Sequence, residues 1–245
     1  MSELHPAAAT GFARSAAEYE AARPGYPDAA VEWLVERLGL GAGRTVVDLA
    51  AGTGKLTRLL ARTGARVVAV EPLAEMRGLI GPPAEVMEGT AESLPLRDAS
   101  ADAVTVAQAF HWFDADAALA EIRRVLRPGG GLGLVSNRRG EEDPVNRAID
   151  ELLDPHRGDT PSHRNRPWRQ AFERSGGFGA PEERSFDNPQ RLGAGELGQR
   201  VASISFIASL PEAEHDRVVV AAGKLADGGP VTLAQRTDVH VYPLR

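Results

Sequence analysis

The sequence has no cysteine. That excludes a disulfide framework, thiolate-ligated zinc, an iron–sulfur cluster and a thiol nucleophile. Aromatic residues are scarce, with 7 Phe, 3 Tyr and 3 Trp among 245 residues, so any cluster of them carries information. No apolar run approaches the roughly 18 residues that a membrane-spanning helix needs. The opening Met1-Ser2-Glu3-Leu4-His5 lacks a basic start before an apolar stretch, so no export signal is expected. Basic charge is also short: 28 Lys and Arg face 34 Asp and Glu, for a net charge of -6. A broad phosphate-tracking surface is therefore not expected. These absences together predict a cytoplasmic chain without membrane or nucleic-acid partners.

What is present is a chain able to bury a sizeable core, 42% hydrophobic and 25% charged, with no fixed-period repeat. The length suits one open α/β unit with an inserted lobe. Two helical stretches at the amino end are broken by Arg23-Pro24-Gly25-Tyr26-Pro27, and the second runs Asp28 to Leu38 with Val31, Leu34, Val35 and Leu38 on one face. Strands are predicted at Thr45 to Ala50, Arg66 to Glu71, Ala84 to Glu88, Ala103 to Gln108 and Leu132 to Val135. Between them lie helices at Lys55 to Arg62, Leu73 to Ile80 and Asp116 to Leu126, the last stopped by Arg127-Pro128-Gly129-Gly130. This alternation predicts a parallel sheet covered on both faces. After Asn137 the texture changes, and residues 138–182 read as a cap with one apolar helix around Val145 to Leu153. Strand character returns near Glu183 to Phe186, followed by helices at Ala194 to Ser209 and Pro211 to Leu225 and a strand at Val231 to Tyr242, an ending that suits an antiparallel edge pair.

The segment Asp48-Leu49-Ala50-Ala51-Gly52-Thr53-Gly54-Lys55 falls between the first strand and its helix, where open α/β sheets bind ligands. A dinucleotide fingerprint would need a third glycine at Thr57, and a P-loop would need Ser or Thr at Leu56 and a glycine at Leu49. Neither pattern is met. A turn without any ligand is the bland alternative, since glycine serves any backbone that needs positive φ. The second strand tips the balance: it ends in Glu71, 17 residues beyond Gly54, where a carboxylate can accept both ribose hydroxyls of an adenosine group. Its structural alternative is a carboxylate stabilising the helix after Pro72.

Taken as a set, Val47 to Gly54, Val70-Glu71-Pro72, Gly89-Thr90-Ala91-Glu92-Ser93-Leu94-Pro95, Ala107 to Asp114 and Arg127-Pro128-Gly129-Gly130 resemble the class I S-adenosylmethionine-dependent methyltransferases. Within them the chain looks like the small-molecule branch that includes trans-aconitate methyltransferase-like proteins. The resemblance covers roughly residues 12–137. It implies a seven-stranded, mostly parallel, doubly wound Rossmann-like sheet whose last strand is antiparallel, forming a single domain over residues 1–245. Residues 1–38 would supply lid helices and residues 138–182 an inserted helical cap. One departure is visible: many members carry Asp where this chain has Thr90, which moves adenine recognition to the Ala91 backbone and the Glu92 side chain.

The resemblance also assigns roles. Ala50, Gly52, Thr53 and Gly54 would approach the methionine part of the cofactor, Glu71 its ribose, and Gln108 the methionine side from the end of the fourth strand. Met76 is a candidate to pack on adenine, or else core filler. In the lid, Arg23 is a candidate for a forked contact with the cofactor carboxylate, and Tyr19 for closing over cofactor or acceptor; alternatively the Arg23 to Pro27 stretch only fixes a helix junction. Phe110, Trp112 and Phe113 read as a pocket wall or as core packing. His111 is the candidate general base, because a neutral imidazole titrates near working pH. The cap arginines, Arg157 to Arg169, read as an anion-favouring lid or as a solvated segment. His156 and His163 lack a third partner for a metal site, and Asn188-Pro189-Gln190 lacks the Pro-aromatic pair of amino-directed DNA methyltransferases. The expected activity is methylation of a small molecule, at a carboxylate or hydroxyl oxygen ahead of nitrogen or carbon. The competing readings are a cofactor-binding protein without transfer chemistry and a nucleic-acid methyltransferase.

Overall fold

The computed structural model describes residues 20–158 and 169–245. Tyr19, the stretch before it, His163 and Trp168 lie outside them.

A central sheet takes β1 (Thr45–Leu49), β2 (Arg66–Val70), β3 (Glu85–Met87), β4 (Ala101–Ala107), β5 (Leu126–Arg139), β6 (Glu182–Asp187) and β9 (Gln235–Pro243) in the order β3-β2-β1-β4-β5-β9-β6. The first five strands run parallel, and β9 is antiparallel to both β5 and β6. The terminal strand thus enters inside the edge, leaving β6 outermost. Val46, Val67, Ala103, Val135 and Val239 face α1 (Asp28–Leu38) and α2 (Lys55–Ala61). Their neighbours Val47, Val68, Val104 and Leu134 face α4 (Ala115–Val125), which follows the single turn α3 (Ala74–Arg77). Alternate residues of each strand thus feed opposite layers, as the period of two requires. At Gly133 an added Cβ would come within 2.5 Å of Leu34, so the missing side chain lets α1 lie against β5.

Several spans differ from expectation for visible reasons. The fifth strand is 14 residues rather than four: Ala101 pairs Leu126 and Ala103 pairs Gly131, so Arg127 to Gly130 bulge out of an otherwise continuous ladder. The helix expected at Ala194 to Ser209 breaks into α7 (Ala194–Ala202) and α8 (Ser205–Ala208), where Arg23 takes the Ser203 carbonyl at 2.8 Å. The strand expected at Val231 to Tyr242 divides at Ala234 into β8 (Val231–Leu233) and β9, because the Ala234 backbone bonds the Asp143 and Asn146 side chains.

The segment read as a cap is shared between two cores. Its helix α6 (Arg169–Ser175) buries Phe172 against Tyr242, with ring centroids 3.9 Å apart, in the sheet's own core. The second lobe joins α5 (Pro144–Leu153) to α7, α8 and α9 (Glu212–Lys224), around Ile149, Leu153, Leu197, Val201 and Ile207. A two-stranded sheet of β7 (Gln190–Leu192) and β8 completes it.

Candidate active site

Strand order reverses between β1 and β4, and the crevice outside their carboxyl ends is where an open sheet receives its ligand. Backbone in the left-handed region gathers there. Ala50 (φ 52°), Gly52 (58°), Gly54 (84°) and Gln108 (59°) line the two strand ends, and for the two non-glycine residues that conformation is costly and concentrates at functional sites. A Cβ at Gly52 would stand 3.8 Å from the Met76 sulfur, so Met76 does lie against the turn, with only 4% of its surface exposed.

Glu71 is likewise 4% exposed. One carboxylate oxygen accepts the Gly52 N–H at 2.8 Å and the other the Leu73 N–H at 3.0 Å, which leaves each oxygen able to accept once more. Burial raises its pKa against those two bonds and the nearby Arg77. Behind the turn, Asp48 is fully enclosed, accepting Thr57 Oγ1 at 2.6 Å and Thr105 Oγ1 at 3.0 Å. Burial pushes its pKa up to about 6 despite those bonds. Gln108 donates its amide to the Asn137 carbonyl at 3.3 Å.

The adenine candidates occupy a loop gripped from α4. Ala91 is buried with its side chain in the sheet core, and Glu92 accepts the Asp114 N–H at 3.1 Å. Glu121 accepts the Leu94 N–H at 2.8 Å, and Arg124 donates to the Leu94 and Leu96 carbonyls. The aromatic cluster after β4 divides. Phe110 packs into the core against Phe113 and Phe172, at 5.4 and 5.6 Å between centroids, so the core-packing reading holds for it. His111 and Trp112 remain half-buried, their rings 5.2 Å apart, on the one-turn helix Phe110–Trp112 that follows β4.

Further residues tie the turn and strand ends to the segment before α1. Glu20 accepts from Thr53 Oγ1 and from the Arg58 guanidinium, with Lys55 Nζ 3.5 Å from its carboxylate. Asn137 donates to the Gly25 carbonyl at 3.0 Å and accepts Thr237 Oγ1 at 2.6 Å, while Asn188 bonds Gly25, Asn137 and Thr237 together. Arg23 donates to the Ser203 carbonyl of the second lobe, at the end of α7. A polar residue ending an apolar strand was the one available signal, at Asn137; nothing in the local pattern marks Glu20. Arg157 is engaged by Asp154 and lies over the Phe206 ring, and Arg169 pairs with Glu183. Among the described residues no cluster of His, Asp and Glu could hold a metal ion, and no helix is long and apolar enough to cross a membrane.

A family model described as a methyltransferase domain matches residues 47–134. An uncharacterized methyltransferase-like protein of Schizosaccharomyces pombe is 36% identical over 211 residues, 84% of this chain and 82% of that protein. An uncharacterized methyltransferase of Mycobacterium tuberculosis is 47% identical over 145 residues, 58% of each chain. A solved structure from Anaeromyxobacter dehalogenans, provisionally classed as a type II methyltransferase, superposes with a TM-score of 0.67 at 24% identity, over 91% of this chain and 97% of that one. The chain belongs to the class I S-adenosylmethionine-dependent methyltransferases, and S-adenosylmethionine is its cofactor. The residues suit that group: the side-chain-free Gly52 turn leaves backbone accessible, and Glu71 keeps acceptor capacity.

Proposed function

We propose that the enzyme methylates a small molecule at a hydroxyl or carboxylate oxygen, within the branch that includes trans-aconitate methyltransferase-like proteins. The observation that carries this reading is a roof. Residues 20–27 cross the carboxyl ends of the strands, tied at Glu20 to Thr53, at Arg23 to the Ser203 carbonyl in the second lobe, and at Gly25 to Asn137 and Asn188. A roofed crevice suits a small acceptor better than a polymer, and the net charge of -6 disfavours nucleic acid.

When bound, the cofactor supplies an activated methyl on a sulfonium. The chain's task is then placement, for which alignment in favourable model reactions recovers roughly 7 to 11 kcal/mol. In this reading the Ala50 to Gly54 turn and Gln108 flank the methionine end, Glu71 takes the ribose, and Ala91, Glu92 and Met76 border adenine. Arg23 and Tyr19 belong to the lid, and His111 removes the proton of a hydroxyl acceptor at an imidazole nitrogen. A carboxylate acceptor is already ionised and needs no base.

Labelled S-adenosylmethionine incubated with cell extract, followed by separation of small and macromolecular fractions, tests the proposal. Label in a small, base-labile or ether-linked product supports it. Label confined to RNA, DNA or protein overturns it, and retention of cofactor with no transfer to any fraction favours a non-methylating cofactor protein.

A further inference from the structure

We propose that Glu20 is a latch: its carboxylate closes the strap of residues 20–27 over the cofactor turn, and cofactor exchange requires that it let go. The proposal rests on the reading of the Gly52–Gly54 turn as the cofactor's seat.

The three anchors of the strap differ in kind. At its carboxyl end the Gly25 carbonyl is held by the amides of Asn137 and Asn188, of which Asn137 is 7% exposed and is itself bonded to the wholly buried Thr237. In the middle, Arg23 donates to the Ser203 backbone carbonyl of the second lobe. At the amino end the contacts are ionic and reachable by water. The side chains of Glu20, Lys55 and Arg58 are 32%, 19% and 46% exposed. Screening by salt therefore weakens the Glu20 anchor while leaving the amide anchor intact.

The latch also closes on the machinery it covers. Thr53 lies between the two glycines of the turn, and its hydroxyl donates to Glu20. Arg58 binds Glu20 through one guanidinium nitrogen and the Thr53 carbonyl through the other, at 2.8 Å. Lys55 donates to the Glu20 backbone carbonyl at 2.6 Å. Strap, turn and the first residues of α2 are thereby one charged cluster, and the turn is closed while that cluster is intact. Release at Glu20 with the Gly25 anchor held would swing the strap about the Pro24–Pro27 stretch, opening the methionine end without disturbing the acceptor side.

The test compares the wild-type chain with Glu20→Ala and Glu20→Gln by amide hydrogen exchange over residues 20–27 in the protein alone, and by the rate at which bound S-adenosylhomocysteine is chased off at low and high salt. For Glu20→Ala the expected result is faster exchange in the strap and release accelerated about five- to tenfold, the scale of losing a partly exposed ionic cluster. Wild-type release quickens with salt, and release from the alanine variant does not. Glu20→Gln keeps an acceptor for Thr53 but no charge, so it falls between the two and serves if the alanine variant misfolds. An unchanged release rate with an unchanged salt response overturns the latch, since a purely stabilising role would alter melting temperature without altering that response. If the wild-type chain retains no S-adenosylhomocysteine, the cofactor reading fails, and the exchange measurement alone decides: unaltered strap amides in the variant overturn the latch as well.

Discussion

Glu71 holds Gly52: the carboxylate that ends β2 accepts the N–H in the middle of the turn that ends β1, at 2.8 Å. The bond joins two neighbouring strand ends and fixes the glycine backbone beside a carboxylate that keeps acceptor capacity. Glu71→Ala removes the acceptor for both Gly52 and Leu73. We expect cofactor affinity to fall by roughly 1 to 3 kcal/mol, the scale of losing charged hydrogen bonds. Calorimetric titration of S-adenosylhomocysteine into a folded variant checks this, and undiminished affinity would remove Glu71 from the cofactor site.

Asp48 gives the fold a pH dependence of definite sign. Burial lifts its folded pKa to about 6, above the roughly 3.9 of an unfolded aspartate. Between those values the folded state binds the extra proton. Its contribution is fully present below about pH 4 and declines until about pH 6, a total of about 3 kcal/mol at 1.36 kcal/mol per unit. Asp48→Asn should remove that part of the profile while keeping hydrogen bonds to Thr57 and Thr105 available. Urea unfolding of both proteins across pH 4 to 7 measures it; parallel stability profiles would exclude Asp48 as the source.

Much of the sheet was legible because β1, β2 and β4 are buried on both faces and so read as apolar runs, from Val46-Val47 to Val67-Val68 and Val104 to Val106. The turn and Glu71 were legible because glycine spacing and a distant acid are local signals. The breaks at Ser203 and Ala234 were not, since each is made by a residue far away in sequence, Arg23 in one case and Asp143 with Asn146 in the other. The same holds for Glu20 and Asn188, whose partners are 33 or more positions away. Phe110 shows the converse: its sequence neighbours suggested a wall, and its packing against Phe172 depends on a helix 59 positions later.

At the opposite end of the sheet Asp102 makes a purely structural prediction. It accepts the Thr45 N–H at 2.7 Å, Arg127 at 2.6 Å and Arg44 at 2.9 Å. Burial works to raise its pKa, but the Thr45 N–H and the two guanidinium groups together leave it below the ordinary value. A depressed pKa stabilises above the unfolded value and is lost as pH falls through the folded one. Asp102→Asn should therefore cost about 1 to 2 kcal/mol at neutral pH, and the difference should shrink below about pH 4. Cofactor affinity should stay put. A variant that binds S-adenosylhomocysteine more weakly while melting normally would contradict this assignment.

His111 separates the two oxygen chemistries. It follows Gln108 by three positions, half-buried on the one-turn helix beyond β4. A hydroxyl nucleophile must lose its proton as the new bond forms, and a positioned base contributes about 10²- to 10⁴-fold; a carboxylate gains nothing from one. His111→Ala, assayed in single turnovers at saturating cofactor, should slow methylation of a hydroxyl acceptor by about a hundredfold or more with cofactor affinity unchanged. If the variant transfers at the wild-type rate to a hydroxyl acceptor, His111 is not the base.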